Sequence, residues 1–376
     1  MARIAIDAAT WTNTRGYGRF TRGILQALLR ANTGFRFTLF ADSKIAADDL
    51  AGFDVRLVPI SEEASKAASA AGRRSLLDMA RMSRALSSSE FKAVLFPTVY
   101  SYVPVYSRAK KVIFFHDVIA DSLPQLTLPN TKGRWLWRLK AHLALQQADQ
   151  VVTVSTYSRQ GLVRHFGLRP EDIAVVSEAP DPIFRRAEGV LPERMVLYAG
   201  GFGPHKNVRG LVEAFAAIAP KHPDVRLVLA GENRREVFHS EIGEIERLIN
   251  GWGLAPRAEF TGYVPDEKLA ELMSRAWVLA LPSHMEGFGL PAVEAAACGC
   301  PVIATCESPL PELLSGGGLF IDPRQPSELA AALDSILSSG AVRSEFAAAA
   351  TERARALTWQ AAAEQLAAVL RSLNLR

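Results

Sequence analysis

Two glutamates, Glu286 and Glu294, stand on either side of Gly287-Phe288-Gly289-Leu290-Pro291-Ala292-Val293. Each carboxylate accepts two hydroxyl hydrogen bonds, so a pair of them suits a vicinal diol such as a ribose or a hexose. The run follows the apolar Val278-Leu279-Ala280-Leu281 and leads into the alanine-rich stretch from Ala295. That order predicts a strand, a glycine turn and a helix, with Pro291 at the first helical position and Glu294 in the first turn. The backbone amides of residues 287–290 are then expected to point outward at the positive end of the helix, a place for an anion or for sugar hydroxyls. Glycine there lets a ligand approach the main chain. An acid near a helix start also favours the helix dipole with no ligand at all, and for Glu294 alone that explanation stays open.

Three further strings carry chemistry. Tyr198-Ala199-Gly200-Gly201-Phe202-Gly203-Pro204-His205-Lys206-Asn207 is a glycine turn that delivers a lysine. An ammonium there stabilises a diphosphate as it becomes a leaving group; the plain alternative is an exposed loop lysine. Val112-Ile113-Phe114-Phe115-His116-Asp117 is an apolar run ending in a polar pair, at the kind of strand end where α/β sites form. A histidine with its bonds satisfied in the core is the alternative for His116. Gly16-Tyr17-Gly18-Arg19 is a short glycine turn after the first strand, without the spacing of a dinucleotide fingerprint. Val154-Ser155-Thr156-Tyr157-Ser158 reads first as a helix cap.

These groups need a scaffold, and the apolar runs supply one. Strands are predicted at 3–7, 36–40, 55–58, 93–96, 112–115 and 151–154, then at 195–199, 225–230, 258–261, 277–281, 301–304 and 319–321, with helices between. Runs apolar on both faces are the mark of buried parallel strands. The pattern breaks after Val175 into Glu178-Ala179-Pro180-Asp181-Pro182 and restarts at Met195. We therefore expect two doubly wound α/β domains, 1–182 and 183–358, with residues 359–376 as a terminal packing helix. Ligands bind beyond the carboxyl ends of such sheets and at domain interfaces, which places the expected site in a cleft.

Size and composition agree. A chain of 376 residues is long for one core and sufficient for two. Hydrophobic residues at 49% and charged residues at 22% exclude a disordered chain. Cys298, Cys300 and Cys306 match neither a zinc knuckle nor a redox pair and are expected to be small buried residues of a reducing compartment. No Asp-x-Asp motif lies at a suitable strand end, and no metal is expected. Asp7 interrupts the only apolar stretch at the start, which argues against a leader, and no apolar run reaches bilayer-spanning length. Residues 1–180 hold 24 Lys+Arg against 15 Asp+Glu, while the rest hold 19 against 24. Without the interleaved aromatics of a nucleic-acid binder, the basic half points to an anionic acceptor or a membrane face and not to nucleic acid. Within it, Lys132-Gly133-Arg134-Trp135-Leu136-Trp137-Arg138 either seats a helix at a bilayer surface or buries its tryptophans beneath solvated charges. Arg73, Arg74, Arg81 and Arg84 add to the same basic half.

Taken together, the strings resemble the Glu-x7-Glu signature of retaining glycosyltransferases of family 4, the group 1 glycosyl transferases, as in bacterial mannosyltransferases and glucosyltransferases of cell-surface polysaccharide assembly. The likeness extends over most of the chain and is clearest from 195 to 323. It implies the GT-B fold: two Rossmann-like domains facing a central cleft, with the C-terminal helix packing back towards the N-terminal domain. It implies transfer of a mannose- or glucose-type hexose from a UDP-sugar or GDP-sugar to a saccharide or lipid-linked acceptor, with retention and with no cofactor beyond the donor. His116, Lys206 and Glu286 are then the catalytic candidates, Glu286 near the sugar and Glu294 near the ribose. Gly16, Gly18, Gly201, Asn207, Gly287, Phe288, Gly289 and Leu290 fall on the donor, and Tyr17, Arg19, His116 and Asp117 on the acceptor side. Ser155 borders the cleft in the same scheme, and Glu312 falls near the nucleotide. The family usually sets an arginine a few residues before the lysine; that position here holds Gly201, with His205 or Arg235 as candidate replacements. A cytoplasmic enzyme at the inner face of the membrane follows. The rivals are a nucleotide-sugar hydrolase or epimerase on the same fold, and a sugar-nucleotide-binding subunit without catalysis.

Overall fold

The computed structural model describes residues 1–13, 16–43, 45, 50, 52–60, 75–232 and 240–375. Arg73, Arg74 and Arg235 lie outside these residues. The chain divides into two compact units, Met1–Glu178 with Thr358–Arg376, and Ala179–Leu357.

In the first unit, β1 (Arg3–Asp7), β2 (Arg36–Asp42), β3 (Asp54–Val58), β4 (Ala93–Phe96), β5 (Lys110–Phe114), β6 (Gln150–Thr153) and β7 (Ile173–Val175) form a parallel sheet in the order β3-β2-β1-β4-β5-β6-β7. Ile4, Ala5, Ile6, Val94, Leu95, Val112 and Ile113 are buried in its centre, which is why their sequences are apolar at successive positions rather than alternating. The longer helices among its described residues are α1 (Gly16–Arg30), α2 (Leu76–Leu86), α3 (Thr131–Gln147) and α4 (Thr156–Phe166). β7 has only three residues, too few to show a period, and was not among the expected strands. The fifth strand begins at Lys110, two residues before its apolar run, because Lys110 and Lys111 pair with Ala93 and Val94 although their side chains are polar.

The second unit carries β8 (Met195–Ala199), β9 (Arg226–Ala230), β10 (Ala258–Gly262), β11 (Val278–Leu281), β12 (Val302–Thr305) and β13 (Gly318–Ile321), parallel in the order β10-β9-β8-β11-β12-β13. Its longer helices are α5 (Val208–Ile218), α6 (Ile242–Gly251), α7 (Asp266–Arg275), α8 (Leu290–Ala297), α9 (Pro326–Ser338) and α10 (Gly340–Arg355). In both sheets the chain runs outward to one edge, returns to the middle, and proceeds to the other edge. The loops after β1 and β4, and those after β8 and β11, therefore diverge at a switch point, where an open α/β sheet leaves room for a ligand.

The terminal helix α11 (Trp359–Ser372) belongs to the first unit. Trp359 lies over α1 where Gly23 leaves space: a Cβ on Gly23 would come within 2.3 Å of the indole. Its ring also meets Phe20 edge-on at 5.8 Å. Gln365 Oε1 accepts from the Ser177 amide at 2.9 Å, fastening the helix to the end of the unit's main segment.

Candidate active site

The switch point of the second unit brings the two strongest strings together. After β8 the chain makes a tight turn in which the Tyr198 hydroxyl donates to the Gly201 carbonyl. The Gly200 carbonyl lies 1.9 Å from where a Cβ on Gly231 would sit, so a glycine at the end of β9 is what lets the turn fold there. A single 3-10 turn, Pro204–Lys206, then presents Lys206. Asn207 adopts the left-handed conformation at φ 53° and donates through Nδ2 to the Pro282 carbonyl at 3.2 Å, while the His205 carbonyl accepts from the His284 amide at 2.8 Å. These two bonds fasten the loop after β8 to the loop after β11. Asn207 is thus engaged in positioning the loops. Gly201 has nothing within 4 Å of its would-be Cβ, so no steric demand accounts for a glycine at the position where the family usually has arginine.

Lys206 Nζ donates to Glu286 Oε1 at 2.7 Å, and the Ser283 hydroxyl donates to the same oxygen at 2.6 Å. Glu286 is buried and Lys206 half-buried. The lysine expected to meet a phosphate and the glutamate expected to meet a sugar pair with each other. Both bonds fall on Oε1, and Oε2 accepts none from the described residues. The buried phenol of Tyr198 is held well above its usual range, first by burial and then by the Glu286 charge, so it stays a neutral donor to the turn.

Beyond Glu286 the turn departs from the spacing argument at the helix boundary. Helix α8 begins at Leu290, so Pro291 is its second residue and Glu294, 1% exposed, lies in the second turn. The dipole explanation for Glu294 loses its basis, since that effect fades beyond the first turn. The amides on either side of residues 287–290 are used within the turn and helix. Glu286 donates its amide to the Glu307 carbonyl at 3.0 Å, and Ala292 and Val293 donate to the Gly289 carbonyl at 2.9 and 3.3 Å. Gly289 has φ 87°, and a Cβ there would stand 2.8 Å from the Leu310 side chain, so the turn requires glycine on both counts. Gly287, Phe288 and Leu290 are buried around it. Glu312 is exposed, on the short helix Leu310–Leu313.

In the first unit, His116 lies two residues past β5 and is buried. Its Nδ1 is 2.9 Å from Glu178 Oε1 and its Nε2 is 2.8 Å from the Pro97 carbonyl. Both ring nitrogens are bonded within the unit. Glu178, 5% exposed, was read from sequence only as the start of a loop. Ser155 caps α4 by accepting from the Ser158 amide at 3.0 Å, and the Ser158 hydroxyl bonds the His116 carbonyl at 2.8 Å.

Gly16, Tyr17, Gly18 and Arg19 form the first turn of α1 and are not a loop. A Cβ on Gly18 would fall 1.7 Å from the Asn13 carbonyl oxygen, so an internal contact already accounts for that glycine, whereas Gly16 is unconfined. Arg19 is half-buried in the same turn. Tyr17 donates to Asp117 Oδ2 at 3.4 Å and packs on Tyr100 and His116. Trp137 stacks on Tyr100 at 5.0 Å and donates its indole N–H to Asp121 Oδ1 at 3.0 Å. Burial, and secondarily the Asp117 charge, pushes the Asp121 carboxyl up to about 6.

Cys298 and Cys300 are buried, with thiols pushed up to about 12 by burial. Cys306, expected to be buried with them, is exposed, because it follows the last residue of β12 and sits outside the sheet. Among the described residues no group of three or more His, Cys, Asp or Glu is placed to hold a metal.

Two parallel, doubly wound units, the second with Lys206 and Glu286 at its switch point, have the architecture of the GT-B fold. Residues 14–182 match Glycosyltransferase Family 4 and residues 181–355 match Glycosyl transferases group 1, and the chain belongs to this family of glycosyltransferases, which use nucleotide sugars. It is 29% identical to O-antigen chain mannosyltransferase B of Escherichia coli over 286 residues, 72% of either chain. Its fold is similar to that of sucrose-phosphate synthase from Thermosynechococcus elongatus, with TM-score 0.79 and 20% identity over 99% of both chains. The Anabaena protein HepE, solved in complex with UDP-glucose, is similar in fold at TM-score 0.74 and 19% identity, over 99% of this chain and 100% of that one.

Proposed function

We propose that the chain moves a mannose- or glucose-type hexose from a nucleoside diphosphate sugar to a hydroxyl of a saccharide or lipid-linked acceptor, with retention and without a metal or cofactor. The observation that carries this reading is the Lys206–Glu286 pair at the switch point of the second unit. A cation and a carboxylate 2.7 Å apart match the two ends of one substrate. Lys206 turns to the diphosphate, and Glu286 takes a sugar hydroxyl on Oε2, the oxygen with no partner among the described residues. Glu294 serves the ribose in the same scheme. The first unit supplies the acceptor side through Tyr17, Arg19 and Asp117, and His116 holds the shape of that side through Glu178 and Pro97.

In the chemical step the bond from the anomeric carbon to the diphosphate oxygen breaks. The acceptor oxygen attaches on the same face, and its proton passes to the departing diphosphate. The ammonium stabilises the charge that develops on the leaving group, electrostatic work that a metal ion would otherwise do. The mannosyltransferase relative and the UDP-glucose complex support a hexose donor. The same relative, an O-antigen chain mannosyltransferase, supports a place in bacterial surface polysaccharide synthesis.

Proton NMR of the product, formed from a nucleotide sugar and a panel of saccharide and lipid-linked acceptors in EDTA, checks the reading. The expected product keeps the donor's anomeric configuration, at a rate that magnesium does not raise. An inverted product, or activity that returns only with magnesium, overturns this mechanism. Free sugar released at full rate without an acceptor marks a hydrolase.

A further inference from the structure

Glu178 is a buried acid that takes no direct part in the reaction proposed above, and the segment that carries it is held with care. Past β7 the Val176 amide donates to the Thr153 carbonyl at 2.9 Å, the Ser177 amide donates to Gln365 of α11, and the Glu178 carboxyl then reaches His116. Successive residues are thus pinned to the end of β6, to the terminal helix and to the loop after β5. Glu178 and His116 are each 5% exposed.

The two bonds of His116 fix its hydrogens. A backbone carbonyl offers only lone pairs, so Nε2, 2.8 Å from the Pro97 oxygen, carries a hydrogen and donates it. A neutral imidazole has a hydrogen on one nitrogen alone, which would set a bare lone pair on Nδ1 against Glu178 Oε1 at 2.9 Å. One more proton therefore lies between them. In water an imidazole is a stronger base than a glutamate carboxylate by about two powers of ten. The two groups are equally buried here, so the proton belongs on Nδ1.

The ring fixed in this way is the wall against which the acceptor-side residues rest. Tyr17 meets it edge-on with ring centroids 5.3 Å apart, and Phe20 does so at 4.6 Å. The Tyr17 hydroxyl donates to Asp117, the residue that follows His116 in the chain. A rotation of the imidazole would shift Tyr17 and the hydroxyl that Asp117 accepts.

We infer that Glu178 is a positioning residue: it holds His116 as a ring with hydrogen on both nitrogens, which has no lone pair to take the acceptor's proton and which keeps Tyr17 and Asp117 in place for the acceptor. The acceptor part rests on the function proposed above; the count of ring hydrogens does not.

The test combines nitrogen NMR of the full chain labelled in histidine, acceptor KM, and calorimetric affinity for free nucleoside diphosphate. In the wild type both ring nitrogens of His116 carry hydrogen. Glu178→Ala leaves Nδ1 without its partner and raises the acceptor KM by about tenfold or more through misplacement of Tyr17 and Asp117, while diphosphate affinity, a property of the second unit, stays unchanged. Glu178→Gln keeps the geometry and removes the proton, because its amide N–H donates to a bare Nδ1 while Nε2 still donates to Pro97. That variant loses the hydrogen signature on Nδ1 yet keeps the acceptor KM near the wild-type value and the wild-type melting temperature. Both ring hydrogens in a chain that turns over no acceptor support the pair and count against the function proposed above. A hydrogen-free Nδ1 in the wild type, a wild-type acceptor KM in Glu178→Ala, or an acceptor KM in Glu178→Gln raised as far as in Glu178→Ala each overturn the inference.

Discussion

Replacing Lys206 with alanine lowers turnover at saturating donor by about 10²–10³-fold, the usual effect of removing one donor that stabilises transition-state charge. Two effects act in the same direction. The ammonium facing the departing diphosphate is lost, and Glu286 Oε1 keeps only the Ser283 hydroxyl. Its carboxylate, no longer neutralised in a buried position, then repels the incoming diphosphate. Free nucleoside diphosphate should bind more weakly for the same reason. Lys206→Arg restores the charge without the compact ammonium and recovers only part of the rate. Turnover near the wild-type value in Lys206→Ala, with an unchanged melting temperature, removes the lysine from the mechanism.

The second large effect is expected from Glu286→Gln. The side chain keeps its size and still accepts from Ser283, so the fold should hold, but the charge that ties down Lys206 is gone. Turnover falls by about 10²-fold because the sugar loses a charged acceptor. Affinity for the free nucleoside diphosphate, by contrast, stays level or rises, since the ammonium is no longer shared. The two variants therefore move diphosphate affinity in opposite directions. Equal losses in both contradict the division of labour between lysine and glutamate; kcat and calorimetric affinity measured side by side decide it.

How much of this was legible in sequence depended on distance along the chain. The strands of both sheets stand out because a buried parallel strand is apolar at successive positions, and only β7, at three residues, was too short to register. The order of strand, glycine turn and helix around Glu286 was visible for the same local reason. Its boundary was not: beginning α8 at Leu290 moves Glu294 into the second turn. What stayed hidden were pairings between remote positions. Lys206 and Glu286 are 80 residues apart, and His116 and Glu178 are 62 apart. No periodicity reports either contact. Gly18 illustrates a glycine whose sequence context suggested a ligand, while the Asn13 carbonyl accounts for it. Trp135 and Trp137 are two positions apart in one helix, and only their burial tells them apart.

The central claim is that the turn from Glu286 to Glu294, with Lys206 beside it, holds a nucleotide sugar. Calorimetric titration of UDP-, GDP- and ADP-sugars into the purified chain tests it most directly, with Glu294→Gln as the comparison. The account predicts that at least one donor binds the wild type and binds the variant more weakly, through loss of the ribose contact. Absence of binding by every one of these donors contradicts it.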